Sequence, residues 1–174
     1  MLLQIIQGTP TGVWVLFAGL VALGLQQARE RTIGSVRAAV LPAAFVVLSL
    51  AGVVSAFGGS ALALTAWATG IGAAIGTGAR LLPRLRATWQ AAGDTLRVSG
   101  SWLPLALIVS LFLLKYAAGV SLALHPGLAA DRSFVFACGL AYGAFSGLFT
   151  ARGLQLLQVW RAARAGGAPA RARA

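Results

Sequence analysis

Long apolar stretches dominate the chain, and the arginines lie in the connections between them and in a C-terminal tail. A helix needs about 20 apolar residues to cross roughly 30 Å of hydrocarbon. Five stretches reach or approach that length, at residues 10–25, 38–57, 60–79, 103–124 and 133–151. The pattern predicts an all-α integral membrane bundle of five transmembrane helices, one leading helix followed by two hairpins. We expect a single domain over residues 1–165 and a disordered, Ala/Gly/Arg-rich cytoplasmic tail at 166–174.

The arginines are divided unevenly between the two sets of connections. Loops on the cytoplasmic side of a membrane carry an excess of Lys and Arg. The connection at residues 125–132 contains a single arginine. The other twelve arginines lie in connections on the opposite side of the bundle and in the tail: Arg29, Arg31, Arg37, Arg80, Arg84, Arg86, Arg97, Arg152, Arg161, Arg164, Arg171 and Arg173. Five alternating spans then predict an N-terminus outside and a C-terminus in the cytoplasm. We expect a multi-pass protein of the bacterial inner membrane.

The stretch at residues 84–101 is the one sizeable connection. Polar and apolar residues alternate over 95–99, with Leu96 and Val98 as the apolar positions, which is strand periodicity. An Ala-Gly-Asp turn at 92–94 could lead the chain back along the preceding residues. This predicts a small cytoplasmic hairpin. An interfacial helix is the alternative, because several of the apolar residues also suit helical spacing.

Composition supports the bilayer as the solvent and narrows the functional classes. Hydrophobic residues make up 59% of the chain and charged residues 10%, whereas a soluble domain carries about 25% charged residues. The net charge of +11 lies in clusters between apolar stretches, so we expect no nucleic-acid binding. Three acidic residues and one histidine, His125, leave few groups for acid–base catalysis. The sequence therefore predicts no enzymatic activity, no cofactor and no metal.

Small residues recur every four positions in the third and fifth apolar stretches. In lipid, close backbone approach across small residues supplies much of the energy of helix association. The stripes are Gly70, Ala74 and Gly78 in the third stretch, and Gly139, Gly143 and Gly147 in the fifth. They predict tight helix packing within the chain. The alternative is that one stripe faces outward and forms a homo-oligomer.

Lys115 is the candidate for a functional group inside the membrane. It lies near the middle of the fourth stretch, where an ammonium costs about 2.5–3.5 kcal/mol on insertion scales. Counting by helix rise from the outer ends places Lys115, Thr69, Tyr142 and Ser49 at a common depth of about 12–14 Å. These four residues predict an intramembrane polar layer. Three interpretations stay open: a buried structural lysine, a site for an anion, quinone, lipid headgroup or proton, and a lysine exposed to lipid.

Three segments carry a resemblance to a known family: residues 9–16, the arginine-rich loop leading into Leu41 and Pro42, and residues 100–116. Together they resemble a family of small, uncharacterised bacterial membrane proteins known only as a domain of unknown function. The resemblance extends to about Trp160. It implies a bacterial inner-membrane location and no particular activity.

These observations favour a non-enzymatic membrane protein that acts by interaction, as a subunit or accessory factor. Its expected partners are the lipid bilayer and either a second copy of the chain or another membrane protein. The alternative is a small-molecule carrier or binder with its site around Lys115.

Overall fold

The computed structural model describes residues 10–82, 87–90 and 95–166. The turn predicted at 92–94 lies outside the described residues, as does the tail predicted at 166–174 apart from its first residue. Five α-helices and three strands make up the described fold. The helices are α1 (Thr11–Ala28), α2 (Ser35–Phe57), α3 (Ala61–Leu81), α4 (Leu103–Leu124) and α5 (Arg132–Gly166). The strands are β1 (Arg31–Gly34), β2 (Ala87–Gln90) and β3 (Thr95–Val98), and a 3₁₀ turn, Pro126–Ala129, precedes α5.

Four of the helices are long and apolar enough to cross a membrane: α1, α3, α4 and α5. In α2, a helix of 23 residues, the described apolar part is the shorter segment Pro42–Phe57. Large apolar side chains such as Val15, Val47 and Leu113 are exposed on the outer faces of the helices. The predicted bundle of apolar helices is confirmed in this form: five helices, four of them long enough to span.

Local sequence signals explain where several helices begin and end. Ser60 lies at the start of α3, where its Oγ accepts a hydrogen bond from the backbone N–H of Ala63 at 3.3 Å. Asp131 does the same for α5, accepting from Phe134 N at 2.9 Å. Side-chain caps of this kind satisfy N–H groups that have no partner within the helix. Gly58, with φ +62°, ends α2 in the left-handed region that glycine adopts without strain.

The helices do not pack in the order of the predicted hairpins. The closest contact joins α3 to α5, α2 also packs on α5, and α1 packs on α4. The rings of Phe45 in α2 and Phe149 in α5 stack with centroids 4.0 Å apart. Phe17 in α1 and Phe112 in α4 lie 4.5 Å apart. The bundle therefore contains a tight unit of α2, α3 and α5, and a pair of α1 and α4 that joins the same core through Ile108, Leu111 and Ala118 of α4.

A three-stranded antiparallel sheet lies at one end of the bundle, called the sheet end below. Its strand order is β1-β3-β2, with Ile33 opposite Leu96 in β3. The antiparallel pairing of β2 with β3 confirms the predicted hairpin. The alternative prediction, an interfacial helix in this stretch, is wrong. On the exposed face, Arg97 Nε lies 2.7 Å from Glu30 Oε1, and this hydrogen bond raises the pKa of Arg97.

The C-terminal part of α5 supports the sheet. The apolar stretch predicted to cross the membrane ends at residue 151, but the helix continues to Gly166. Its extension places Leu156 against Ile33, Leu96 and Val98 of the sheet in one buried cluster. The extended helix therefore links the bundle to the sheet through a second, smaller core.

Candidate functional site

Lys115 in α4 connects its helix to α2 and α5. Its Nζ donates a hydrogen bond to the backbone oxygen of Leu48 at 3.2 Å. The same atom lies 5.4 Å from the ring centroid of Tyr142, a distance at which an ammonium is attracted to an aromatic face. The charged end of Lys115 therefore points between the helices, toward Tyr142.

A glycine in α2 leaves the space that this ammonium occupies. A Cβ built on Gly52 would overlap Nζ of Lys115 and would lie 3.2 Å from its Cε. Leu48, which accepts the hydrogen bond from Lys115, is one helical turn before Gly52. The missing side chain and the accepting carbonyl together form a notch in α2 that fits the lysine.

This notch makes a prediction about Gly52→Ala. The added methyl group displaces the flexible end of Lys115 from the notch, and because alanine also favours the helix over glycine, we expect a net loss of at most about 1 kcal/mol in the free energy of unfolding. In a Lys115→Met background the methyl group meets no ammonium, so the same change should cost clearly less. Unfolding in detergent of the wild type, the two single variants and the double variant measures the coupling free energy between Gly52 and Lys115. Equal costs in both backgrounds would contradict the notch.

Ser49 joins three helices of the tight unit. It is 1% exposed, and its Oγ donates to the backbone oxygen of Tyr142 at 3.2 Å. The indole Nε1 of Trp67 in α3 donates to the same Oγ at 2.9 Å. Trp67 was not among the residues predicted for the polar layer, although its depth in the third stretch was a usable signal.

Thr69 does not belong to the layer, and its prediction is corrected. Its side chain is exposed, and Oγ1 donates to the oxygen of Thr65 on its own helix at 2.8 Å. The neighbouring Gly70 faces α5, and successive residues of a helix point about 100° apart. Depth along the chain therefore placed Thr69 at the right height but on the wrong side of α3. The structure brings together Lys115, Ser49 and Tyr142.

The two stripes of small residues face each other. A Cβ on Gly139 would lie 2.8 Å from the oxygen of Ala63, and one on Gly143 would overlap the oxygen of Trp67. From the other side, Gly70 meets the backbone of Leu140 and Ala144 in the same way. The stripes form the α3–α5 contact within the chain, with backbone against backbone.

A cavity of about 520 Å³ lies away from the polar layer, at the sheet end. The ends of α1, α2 and α4, the sheet and α5 all contribute to its walls. Its walls are mostly apolar, with Leu107, Phe149 and Leu156 among them. Lys115 is eight residues beyond Leu107 in α4, about 12 Å along the helix, so the cavity and the lysine are separate features.

The segment after β3 closes one side of this cavity. Gly100 passes so close to the end of α1 that a Cβ there would overlap the oxygen of Ala28. The backbone N–H of Ser101 donates to the oxygen of Gln27 at 3.1 Å. Ser99, Ser101 and Gln27 all line the cavity, so this close crossing gives its wall a polar strip.

Arg152 in α5 brings a guanidinium to the cavity wall. The residue is half-buried, and its Nη1 lies 3.4 Å from Oε1 of Gln155, one turn along the helix. No Asp or Glu is among the described residues that line the cavity. The sequence interpretation used Arg152 only as a marker of membrane orientation. The sequence signal that could have pointed to a site here was an arginine followed by Gly153 at the end of an apolar stretch.

A shallow apolar groove of about 390 Å³ adjoins the cavity on the outer side of α2 and α5. Pro42 and Gly153 belong to the walls of both. From there the groove runs between exposed apolar side chains that include Val47 and Leu154. The cavity, with Arg152 in its wall, and the apolar groove thus meet at one point of the α2–α5 interface.

The described residues contain no group of three or more His, Cys, Asp or Glu side chains that could hold a metal ion. His125 is exposed at the end of α4, and Cys138 is buried in the main core. Ser146, fully buried in α5, has no hydrogen-bond partner for its Oγ among the described residues.

Comparison with known proteins gives one match. The sequence profile of a family of unknown function matches residues 1–170, which is nearly the whole chain. No curated protein and no solved structure matches it. The resemblance to a domain of unknown function is confirmed, while the family itself gives no information about membrane or bacterial origin.

Proposed function

Because the chain belongs to that family of unknown function, DUF6622, we propose its role from its own geometry: a non-enzymatic interaction subunit or accessory factor of the bacterial inner membrane. The four long apolar helices support the membrane location. The distribution of arginines supports five spans with the N-terminus outside and the C-terminus in the cytoplasm. A C-terminal tag that a membrane-impermeant reagent reaches from the periplasm would contradict this orientation.

One helix face carries the proposal of an interaction. Thr65, Ala68, Thr69, Gly72 and Gly76 are all exposed on the side of α3 that points away from α5, and we call them the α3 outer face. A Cβ on Gly72 or Gly76 would have nothing within 4 Å. The hydroxyl groups of both threonines donate to carbonyls of their own helix.

The α3 outer face differs from the other exposed helix faces. Those present large apolar side chains, such as Leu16 in α1, Val47 in α2 and Leu113 in α4. Gly72 and Gly76 form a Gly-x-x-x-Gly pair, the spacing that lets two membrane helices approach closely. Threonine beside such a pair adds little bulk. The face therefore suits a transmembrane helix of a partner membrane protein.

Photo-cross-linking from Ala68 in the native membrane tests this proposal. We expect one defined product that Gly72→Leu and Gly76→Leu abolish, because each leucine fills the space that the partner helix occupies. Both substitutions also raise helix propensity, so the variants should fold. The mass of the product identifies the occupant: a partner protein as proposed, or a second copy of the chain.

Gly119→Leu is the matched control for these variants. Gly119 is exposed on α4, and a Cβ there would also have nothing within 4 Å. The cross-link from Ala68 should survive this change. A product that all three leucine variants lose equally, or that none of them affects, would contradict an interaction through the α3 outer face.

The contacts of Lys115 support a structural role for this residue over a carrier site. Its ammonium hydrogen-bonds Leu48 and faces the ring of Tyr142, and the notch at Gly52 fits it closely. Lysine in this position fixes the α1–α4 pair against the tight unit of α2, α3 and α5.

A further inference from the structure

We propose that the sheet-end cavity binds the headgroup of an anionic phospholipid from the cytoplasmic leaflet. Its phosphate lies at Arg152, and one acyl chain follows the α2–α5 groove. This site goes beyond the proposed interaction through α3. The lipid site rests on the proposed membrane orientation, and it does not depend on the proposed interaction through α3.

The charge of the cavity favours an anion. Arg152 is the only formally charged side chain among the described residues that line it. A guanidinium matches a phosphate with its fork of N–H donors, and such charge-assisted hydrogen bonds are strong. Thr32, Ser99 and Ser101 on the same walls offer hydroxyl groups to the remaining oxygens of a headgroup.

The depth of Arg152 places the anion at headgroup level. It is the first residue after the apolar stretch 133–151, on the side of the bundle that carries twelve of the arginines. That side is cytoplasmic in the proposed orientation, and anionic lipids of the cytoplasmic leaflet bind in basic pockets between transmembrane helices. The arginine and the lipid phosphate thus lie at the same height.

The adjoining groove distinguishes a lipid from a free anion. It shares Pro42 and Gly153 with the cavity, and it extends to Val46 and Val47 in α2 on one side and to Leu154 and Leu157 in α5 on the other. Val46 and Val47 follow Pro42 in the direction of the membrane interior. Inorganic phosphate would leave this apolar surface uncovered, whereas an acyl chain attached to the bound headgroup covers it.

Native mass spectrometry of the full chain in neutral detergent tests the site. Phosphatidylglycerol and phosphatidylcholine with the same acyl chains are titrated against wild type, Arg152→Gln and Arg161→Gln. We expect Arg152→Gln to weaken phosphatidylglycerol binding about tenfold and phosphatidylcholine binding clearly less, because the choline ammonium offsets much of the attraction between its phosphate and the guanidinium. Arg161 is exposed on the same helix and does not line the cavity, so its variant should behave as wild type.

A second pair of variants tests the acyl chain and does not depend on Arg152. Ala43→Trp places a large side chain in the groove, and Val54→Trp places one on the same helix outside it. Ala43→Trp should weaken both lipids, and Val54→Trp neither. Excess inorganic phosphate should not displace phosphatidylglycerol.

Three results would overturn the lipid site: equal losses in Arg152→Gln and Arg161→Gln, no effect of Ala43→Trp, or displacement of the lipid by phosphate. The last result would indicate a site for a free anion. No residue of α3 is among the described residues that line the cavity, so Gly72→Leu should retain lipid binding, and failure of this site and failure of the α3 interaction give different results.

Discussion

Replacing Gly143 with leucine should prevent α3 and α5 from packing and remove the stable fold. A Cβ at this position already overlaps the backbone oxygen of Trp67 and lies 2.8 Å from its carbonyl carbon. Overpacking usually costs about 1–3 kcal/mol when side chains can shift. Here the neighbour is a helix backbone, which cannot move without separating the two helices. We therefore expect a loss of more than about 3 kcal/mol in the free energy of unfolding.

The loss is measured by reversible unfolding in mixed detergent micelles, or by the yield of monodisperse protein where the variant does not fold. Gly119→Leu provides the control, because its exposed position in α4 has nothing within 4 Å of a Cβ. That variant should lose no more than about 0.5 kcal/mol relative to wild type, and the higher helix propensity of leucine favours a small gain. A Gly143→Leu protein as stable as the Gly119→Leu protein would show that α3 and α5 are not in backbone contact.

The stability of the fold thus depends on a feature that the sequence shows well. Glycine at every fourth position of a helix marks a face on which no side chain intervenes, and Gly139, Gly143 and Gly147 form that face. The partner stripe in α3 could be recognised by the same spacing. Which stripe would meet which helix depends on how the helices rotate about their axes, and local spacing does not contain that information.

Rotation about the helix axis also explains the error at Thr69. Counting residues from a helix end gives a height in the membrane, and Lys115, Ser49 and Tyr142 do meet at a common height. Thr69 shares the height but points away from α5, because the adjacent Gly70 already occupies the contact. A count of residues gives the position of a side chain along the helix axis. The direction in which the side chain points around that axis depends on how the helices pack.

The sheet was only partly predictable for a different reason. Strand periodicity around Leu96 and Val98 was sufficient to predict the hairpin of β2 and β3. The first strand, β1, has four residues and leads directly into α2, so no period could be read from it. Its partner in the sheet is more than sixty residues away along the chain. Such a pairing is fixed by burial of Ile33 against α5, which is a tertiary contact.

The cavity at the sheet end depends on the same long-range contacts. The ends of α1, α2 and α4, the middle of α5 and the sheet line it, and none of these elements marks it locally. Arg152 was visible in the sequence as one of twelve arginines on one side. Arg152 differs from the arginines in the loops only because the sheet lies over the end of the bundle and forms a cavity beside it. The extension of α5 past residue 151 holds the sheet in that position.

Leu96→Ala should therefore release the sheet from the bundle. Leu96 is 1% exposed and packs with Ile33, Val98 and Leu156 in the core between the sheet and α5. Truncating a buried leucine to alanine typically costs about 2–5 kcal/mol. The effect should be concentrated in the sheet, because the main core of the helices does not include this residue. Hydrogen exchange should show faster exchange of the backbone amides in β1 and β3, while those of α3 stay protected.

Arg97→Ala is the control that shares its strand with Leu96 but lies on the opposite face of the sheet. Arg97 is exposed and bonds Glu30, and exposed ion pairs contribute little to stability. Exchange in the strands should change much less in this variant than in Leu96→Ala. If the sheet is held only by the chain connections and not by the core with Leu156, the two variants will exchange alike. Slow exchange in Arg97→Ala with fast exchange in Leu96→Ala would instead show that the small core around Leu96 and Leu156 holds the sheet in place. The shape of the cavity would then depend on that core.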